Sequence, residues 1–222
     1  MAFSHPILAV VFDMDGLLID SEGLVREGML RAAAHLNVDL PLWLCAKMIG
    51  LPIAQSTALI GEHLGPGFDL QPFLAREELE IEALFAEGVA LKAGVIELLD
   101  YLDVLGLPRA VATSSGRGAV DENLGGNNIL HRFDAIVTRE DVGRHKPHPD
   151  PFLKAAQLLG VAPQACLALE DSHNGVRAAH AAGMMTVMVP DLLDPTEEMR
   201  LKCAHIAESL HEVRTLIADH RS

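Results

Sequence analysis

Five short apolar runs punctuate the chain, at positions 7–12, 109–112, 135–138, 165–169 and 185–189, each closing on a polar or turn residue. Continuous runs of this length suit parallel strands covered on both faces. Between the later runs lie Ala- and Leu-rich stretches at 94–105, 151–159 and 175–182, whose apolar residues return at helical spacing. Strand alternating with helix predicts an α/β protein with a doubly wound parallel sheet.

The first run stands apart. About ninety residues separate it from the second, and the interval reads as helices only, at 24–36, 42–49, 54–64 and 71–87. Gly65, Pro66 and Gly67 break this interval midway, which predicts two helical hairpins forming a small bundle. The expected organisation is a core built from 1–20 and 91–222, with a helical cap domain at 21–90 inserted after the first strand. No internal repeat or low-complexity segment interrupts it.

Composition narrows the function. Half of the 222 residues are hydrophobic and 22% are charged, enough for a large core and against intrinsic disorder. The formal net charge of −14 disfavours binding to nucleic-acid phosphates or to an anionic membrane surface. Cys45, Cys166 and Cys203 are odd in number and widely spaced, so neither a disulfide framework nor a CxxC site is expected. No basic n-region precedes the first run and no apolar run reaches membrane-span length. A cytoplasmic monomer is the expectation.

In an open parallel sheet, ligands sit at the carboxyl ends of the strands. Asp13-Met14-Asp15-Gly16 follows the first predicted strand, Thr113-Ser114-Ser115 the second and Glu170-Asp171-Ser172 the fourth, while Lys146-Pro147 lies in the loop and helix start after the third. Taken singly, each has an ordinary reading: an Asp-Gly turn or helix cap for Asp13 and Asp15, an N-cap for Thr113, a solvent-facing lysine for Lys146. Taken together, Asp13, Asp15, Glu170 and Asp171 form four acids that repel unless a cation sits among them, and hard oxygen ligands suit Mg²⁺. The eleven histidines, in contrast, include no pair spaced with a Glu as in a zinc-protease helix.

These residues fall in four segments: FDMDGLLIDSE (12–22), VATSS (111–115), GRHKPHPDPFLKAAQLLGV (143–161) and ALEDSHNGVRAAHAAGM (168–184). In that order and spacing they resemble the four motifs of the haloacid dehalogenase (HAD) superfamily. The likeness is to its branch with a helical cap after strand one, which holds sugar-phosphate phosphatases and β-phosphoglucomutase. The resemblance implies a Rossmann-like core and a Mg²⁺-dependent phosphatase acting on a small phosphorylated metabolite. Asp13 would be the nucleophile that forms an aspartyl phosphate, and Asp15 the general acid and then base, its backbone carbonyl helping to hold the metal. Asp171 matches a metal ligand, and Glu170 either a ligand or a neighbour orienting one. Thr113, the Ser114 amide and Lys146 would bind the phosphoryl oxygens.

The same resemblance frames the alternatives. Metal-free dehalogenases of the family lack the second aspartate, present here as Asp15. Phosphomutases resembling β-phosphoglucomutase carry a cap histidine and a cap arginine where this chain has Val25 and, counted from Gly50, Ile53, so hydrolysis is expected over transfer. A non-catalytic member is the third reading, disfavoured by the intact acids and lysine. Relatives usually carry Pro where Ala93 stands before Gly94. The cap cations are few, read as Arg26, Arg31, Lys47, Arg76 and Lys92, which points to a neutral sugar or nucleoside moiety as leaving group.

Overall fold

The computed structural model describes residues 3–48 and 53–221, with the side chains of residues 53 and 54 left aside. The chain divides into two compact units, Met1–Ile19 with Ala90–Ser222, and Asp20–Val89.

The first unit holds six parallel strands: β1 (Ala9–Phe12), β2 (Arg109–Ala112), β3 (Ala135–Val137), β4 (Cys166–Glu170), β5 (Met185–Met188) and β6 (His205–Ile206). Their spatial order is β3-β2-β1-β4-β5-β6, so β1 lies between β2 and β4 and the connections reverse direction beside it. In register, Val10 faces Arg109 on one side and Leu167 on the other. Because successive side chains alternate across a strand, Ala9, Val11, Ala110, Ala112, Cys166 and Ala168 share one face. There they pack with Phe152, Ala155, Ala178 and Ala179. Small residues on this face let α7 (Asp150–Leu159) and α8 (His173–Ala181) approach closely. The alternate positions Val10, Phe12, Val111, Leu167 and Leu169 are equally buried. This is an α/β, doubly wound, Rossmann-like fold.

Helices α5 (Val95–Leu105), α6 (Arg117–Gly126), α9 (Glu197–Lys202) and α10 (Leu210–Arg221) complete the unit, α10 packing on α5. Three departures from the sequence reading have local causes. The first strand begins at Ala9, not at position 7, with Leu8 exposed before it. The fourth runs on to Glu170, so a charged residue ends a buried strand. The two residues of β6 are too few to carry a period-two pattern.

The second unit contains α1 (Ser21–His35), α2 (Leu42–Met48), α3 (Ile53–Leu64) and α4 (Leu70–Ala86). Position 49, read as the end of the second helix, lies outside the described residues. Among the described residues the close pairings are α1 with α4 and α2 with α3. The pairs are therefore nested, where the sequence predicted two successive hairpins. Gly28 permits the close approach of α1 and α4: a Cβ there would stand 2.5 Å from Ile81 Cγ1. Phe73, Ile60, Leu44 and Ala32 fill the centre of this unit.

Candidate active site

β1 and β4 deliver the acids. The Asp13 amide still donates to the Leu169 carbonyl at 3.0 Å, so the residue leaves the strand with its backbone held in the ladder. Gly16 then turns the chain at φ +76°, a left-handed backbone that suits glycine. Glu170 ends β4 and Asp171 follows it. One carboxylate oxygen from each of Asp13, Glu170 and Asp171 lies within 4.8 Å of the others, and all three residues are buried.

Lys146 enters this group from the loop before α7. Its Nζ lies 2.5 Å from Asp13 Oδ1 and 2.5 Å from Glu170 Oε1, with the side chain only 6% exposed. The ammonium also sits 5.2 Å from the centre of the Phe152 ring. One cation against three carboxylates leaves the group short of positive charge. Burial accordingly pushes the Asp13 carboxyl up to about 8, repulsion from Glu170 adds to this, and Lys146 offsets part of it. Burial opposes the charge on Lys146, but attraction to Asp13 and Glu170 outweighs it and holds the ammonium above its ordinary value.

Asp15 turns elsewhere. Its Oδ2 accepts from the Ser115 hydroxyl at 2.6 Å and from the Thr113 hydroxyl at 3.3 Å. The Ser115 amide in turn donates to Thr113 Oγ1 at 2.9 Å. The four acids of the sequence reading thus separate into three that converge and one held by hydroxyls. Asp15 nonetheless stays near enough to Asp13 to raise its pKa. Ser114 is exposed on the same loop. Lys92, read as a cap cation, belongs to the strand-bearing unit, where it pairs with Asp191 at 2.7 Å.

Three residues escaped the sequence reading. Ser115 was in the quoted segment but its hydroxyl was given no partner. Ser172 caps α8 by accepting from the Gly175 amide at 3.0 Å, and its hydroxyl donates to Glu170 Oε2 at 3.1 Å. A Ser immediately before a helical pattern is a cap signal that could have found it. Gly175 is required by contact: a Cβ there would lie 1.9 Å from Glu170 Cδ. No sequence periodicity signals such an approach.

Chemically, the arrangement offers a buried carboxylate beside a cation, a set of hard oxygen donors, and a second carboxylate held by hydroxyls. The donor set of Asp13, Glu170 and Asp171 fits a small divalent cation such as Mg²⁺, which prefers oxygen ligands. No helix among the described residues is long and apolar enough to cross a membrane.

The chain has relatives of known description. It is 33% identical over 190 residues, 81% of its length and 95% of the relative's, to the fructose-1-phosphate phosphatase YqaB of Escherichia coli. It is 35% identical over 197 residues, 86% of each chain, to hexitol phosphatase B of the same species. Among solved structures, a HAD family hydrolase from Deinococcus radiodurans with bound phosphate and sodium matches 97% of each chain at a TM-score of 0.85 and 29% identity. The model of one family, that of the haloacid dehalogenase-like hydrolases, matches residues 10–189, from within β1 to just past β5, and thereby takes in Asp13, Asp15, Lys146, Glu170 and Asp171. The chain belongs to the haloacid dehalogenase-like hydrolase family.

Proposed function

We propose that this hydrolase is a Mg²⁺-dependent phosphatase that cleaves a small sugar or polyol phosphomonoester through an aspartyl phosphate on Asp13. The observation that carries the reading is the buried contact of Lys146 Nζ with Asp13 Oδ1 at 2.5 Å, inside the group completed by Glu170 and Asp171. Phosphoryl transfer is dominated by positioning and charge neutralisation, and a carboxylate attacking a phosphate brings two anions together. A cation fixed on the nucleophile meets that need.

Asp13, Asp171, the backbone carbonyl of Asp15, and Glu170 directly or through its neighbours would hold the Mg²⁺, which supplies charge neutralisation for the acids and the phosphoryl oxygens. Asp13 Oδ attacks phosphorus while the bond to the leaving oxygen breaks. Asp15 gives that oxygen its proton, then takes one from the water that hydrolyses the acyl phosphate. The hydroxyls of Ser115 and Thr113 orient the Asp15 carboxylate for both tasks. Thr113, the Ser114 amide and Lys146 bind the transferring oxygens.

Relatives named for fructose 1-phosphate and for hexitols support a sugar or polyol as the leaving group. In the helical unit Arg31 pairs with Glu27 at 2.8 Å, Arg76 pairs with Glu80 and Lys47 lies over the Trp43 ring. Among the described residues this leaves Arg26 as the cap cation lining a largely apolar cavity of about 700 Å³ in that unit, and a single cation supports a leaving group of little or no charge. Val25 lines the same cavity and offers no hydrogen bond to a sugar. Gly50 and the Ile53 side chain, the other marks against transfer to a second hydroxyl, lie outside the described residues. A β-phosphoglucomutase-like activity therefore ranks second. Glucose 6-phosphate appearing faster than free phosphate from β-glucose 1-phosphate with a trace of the 1,6-bisphosphate would overturn the preference.

The central test is Asp13→Asn. The amide is nearly isosteric but cannot form the acyl phosphate, so Mg²⁺-dependent phosphate release should vanish while the far-UV spectrum is kept. Retention of more than a few per cent of the activity would remove Asp13 as nucleophile.

A further inference from the structure

We propose that the Lys92–Asp191 ion pair is a positioning device for Asp15, acting through the short segment that returns the chain to the strand-bearing unit. The inference rests on the acid–base role given to Asp15 above.

The loop after β1 folds back on itself. The amides of Leu18 and Ile19 donate to the Met14 carbonyl at 2.9 and 3.2 Å, and the Gly16 amide donates to the Ile19 carbonyl at 2.9 Å. Asp15 pairs with Ile19 in parallel fashion, and Ile19 pairs with Leu91 in antiparallel fashion. The Lys92 amide completes the tie by donating to the Leu18 carbonyl at 3.0 Å. The backbone of Asp15 is thus fastened, through Ile19 and Leu18, to positions 91 and 92.

What holds those two positions is the question. Ala93 offers only a methyl group, and Gly94 has φ +89° and no side chain. Gly94 is fixed on its far side by α10, where a Cβ would stand 2.7 Å from the His211 nitrogen. Lys92 supplies a charged anchor for the segment: its Nζ lies 2.7 Å from Asp191 Oδ1. Asp191 follows β5 by three residues, and the Val189 amide between them donates to the Glu170 carbonyl at 2.7 Å. The ion pair therefore ties the Asp15 loop to the same strand ends that present Glu170. The Lys92 and Asp191 side chains are 27% and 11% exposed, so water screens the pair less than an open surface pair.

In the reaction, the bond from phosphorus to the leaving oxygen breaks as the Asp13–phosphorus bond forms, and the Asp15 proton passes to that oxygen. A displaced Asp15 slows this step in proportion to how much the leaving group needs the proton. An alkoxide needs it, whereas p-nitrophenolate departs without one. A purely structural role for the pair would reduce both reactions alike.

The experiment compares wild type, Lys92→Met, Asp191→Asn and Lys92→Arg by kcat/KM on a hexitol phosphate and on p-nitrophenyl phosphate. Hydrogen exchange is followed in parallel at the Gly16 and Lys92 amides. Lys92→Met and Asp191→Asn should lose about tenfold or more on the alkyl ester and less than about twofold on the aryl ester. Lys92→Arg should keep the alkyl rate, and exchange at Gly16 and Lys92 should quicken in the two charge-removing variants. Equal losses on both esters, or unchanged exchange, overturn the proposal. Asp191→Asn stands in if Lys92→Met does not fold. If wild type hydrolyses neither ester, the phosphatase reading fails by itself, and exchange alone decides whether the pair secures the loop.

Discussion

At the scale of single residues, the site depends on two glycines as much as on its acids. Gly175 lies so close to Glu170 that a methyl group would overlap its carboxylate, so a larger residue there must displace the fully buried Glu170 side chain from its contacts. Gly175→Ala should lower the unfolding free energy by about 1–3 kcal/mol, the ordinary cost of overpacking. It should also weaken Mg²⁺-dependent turnover, because Glu170 carries the contact to Lys146. Urea denaturation and a Mg²⁺ titration of the rate measure the two effects; unaltered stability would show that Glu170 has an alternative position. Gly16 serves differently, turning the chain between Asp15 and the loop that returns to Leu91. The acids themselves were legible because they follow apolar runs, while Ser115 and Gly175 act through contacts that no spacing announces.

At the scale of elements, β2 begins with a buried arginine inside what reads as an apolar run. Arg109 succeeds there because every reach of the guanidinium finds an acceptor. It donates to the Arg132 carbonyl at 2.5 Å and the Leu99 carbonyl at 3.3 Å, and pairs with Asp103 on α5. Arg132 adds a second pair to Asp103 at 2.5 Å. The hydrogen bond from Arg109, with the charge of both arginines, holds the Asp103 carboxyl below the usual carboxylate range. The unfolded chain therefore binds a proton at Asp103 at a higher pH than the folded one does. This contribution to stability is complete at neutral pH and is lost as pH falls through the acid range. Thermal melts of wild type and Asp103→Asn should converge as pH drops below about 4. A constant gap between the two curves at every pH would remove Asp103 as a source of acid sensitivity. The nested pairing of α1 with α4 belongs to this scale too. Chain order favoured sequential hairpins, whereas α1 pairs with α4, with Gly28 set close against Ile81.

At the scale of the whole molecule, the three converging carboxylates and one lysine make metal binding and stability one question. A ligand that binds only the folded state raises its stability. Added Mg²⁺ should raise the melting temperature, EDTA should abolish activity, and readdition of Mg²⁺ should restore it. Asp171→Ala should raise the Mg²⁺ concentration needed for half-maximal rate. Activity indifferent to chelation would instead favour metal-free chemistry of the dehalogenase kind.

The sequence by itself determined the class of fold and the neighbourhood of the chemistry. Burial on one face or both imposes a period that is written locally, the turn after β1 calls for a residue such as Gly16, and Asp13 and Glu170 stand out as acids closing apolar runs. Only the tertiary structure decided which of those residues meet. Asp13 and Lys146 are 133 positions apart, and they touch because the strand order sets β1 beside β4 while α7 packs over both β1 and β2. The same order explains why Asp15 leaves the other acids for the hydroxyls after β2, and why Lys92 finds Asp191 beyond β5. Local periodicity fixes which faces are buried. Contacts between distant segments follow from how the strands are ordered, and the free energy of those contacts is assigned only when the sheet is assembled.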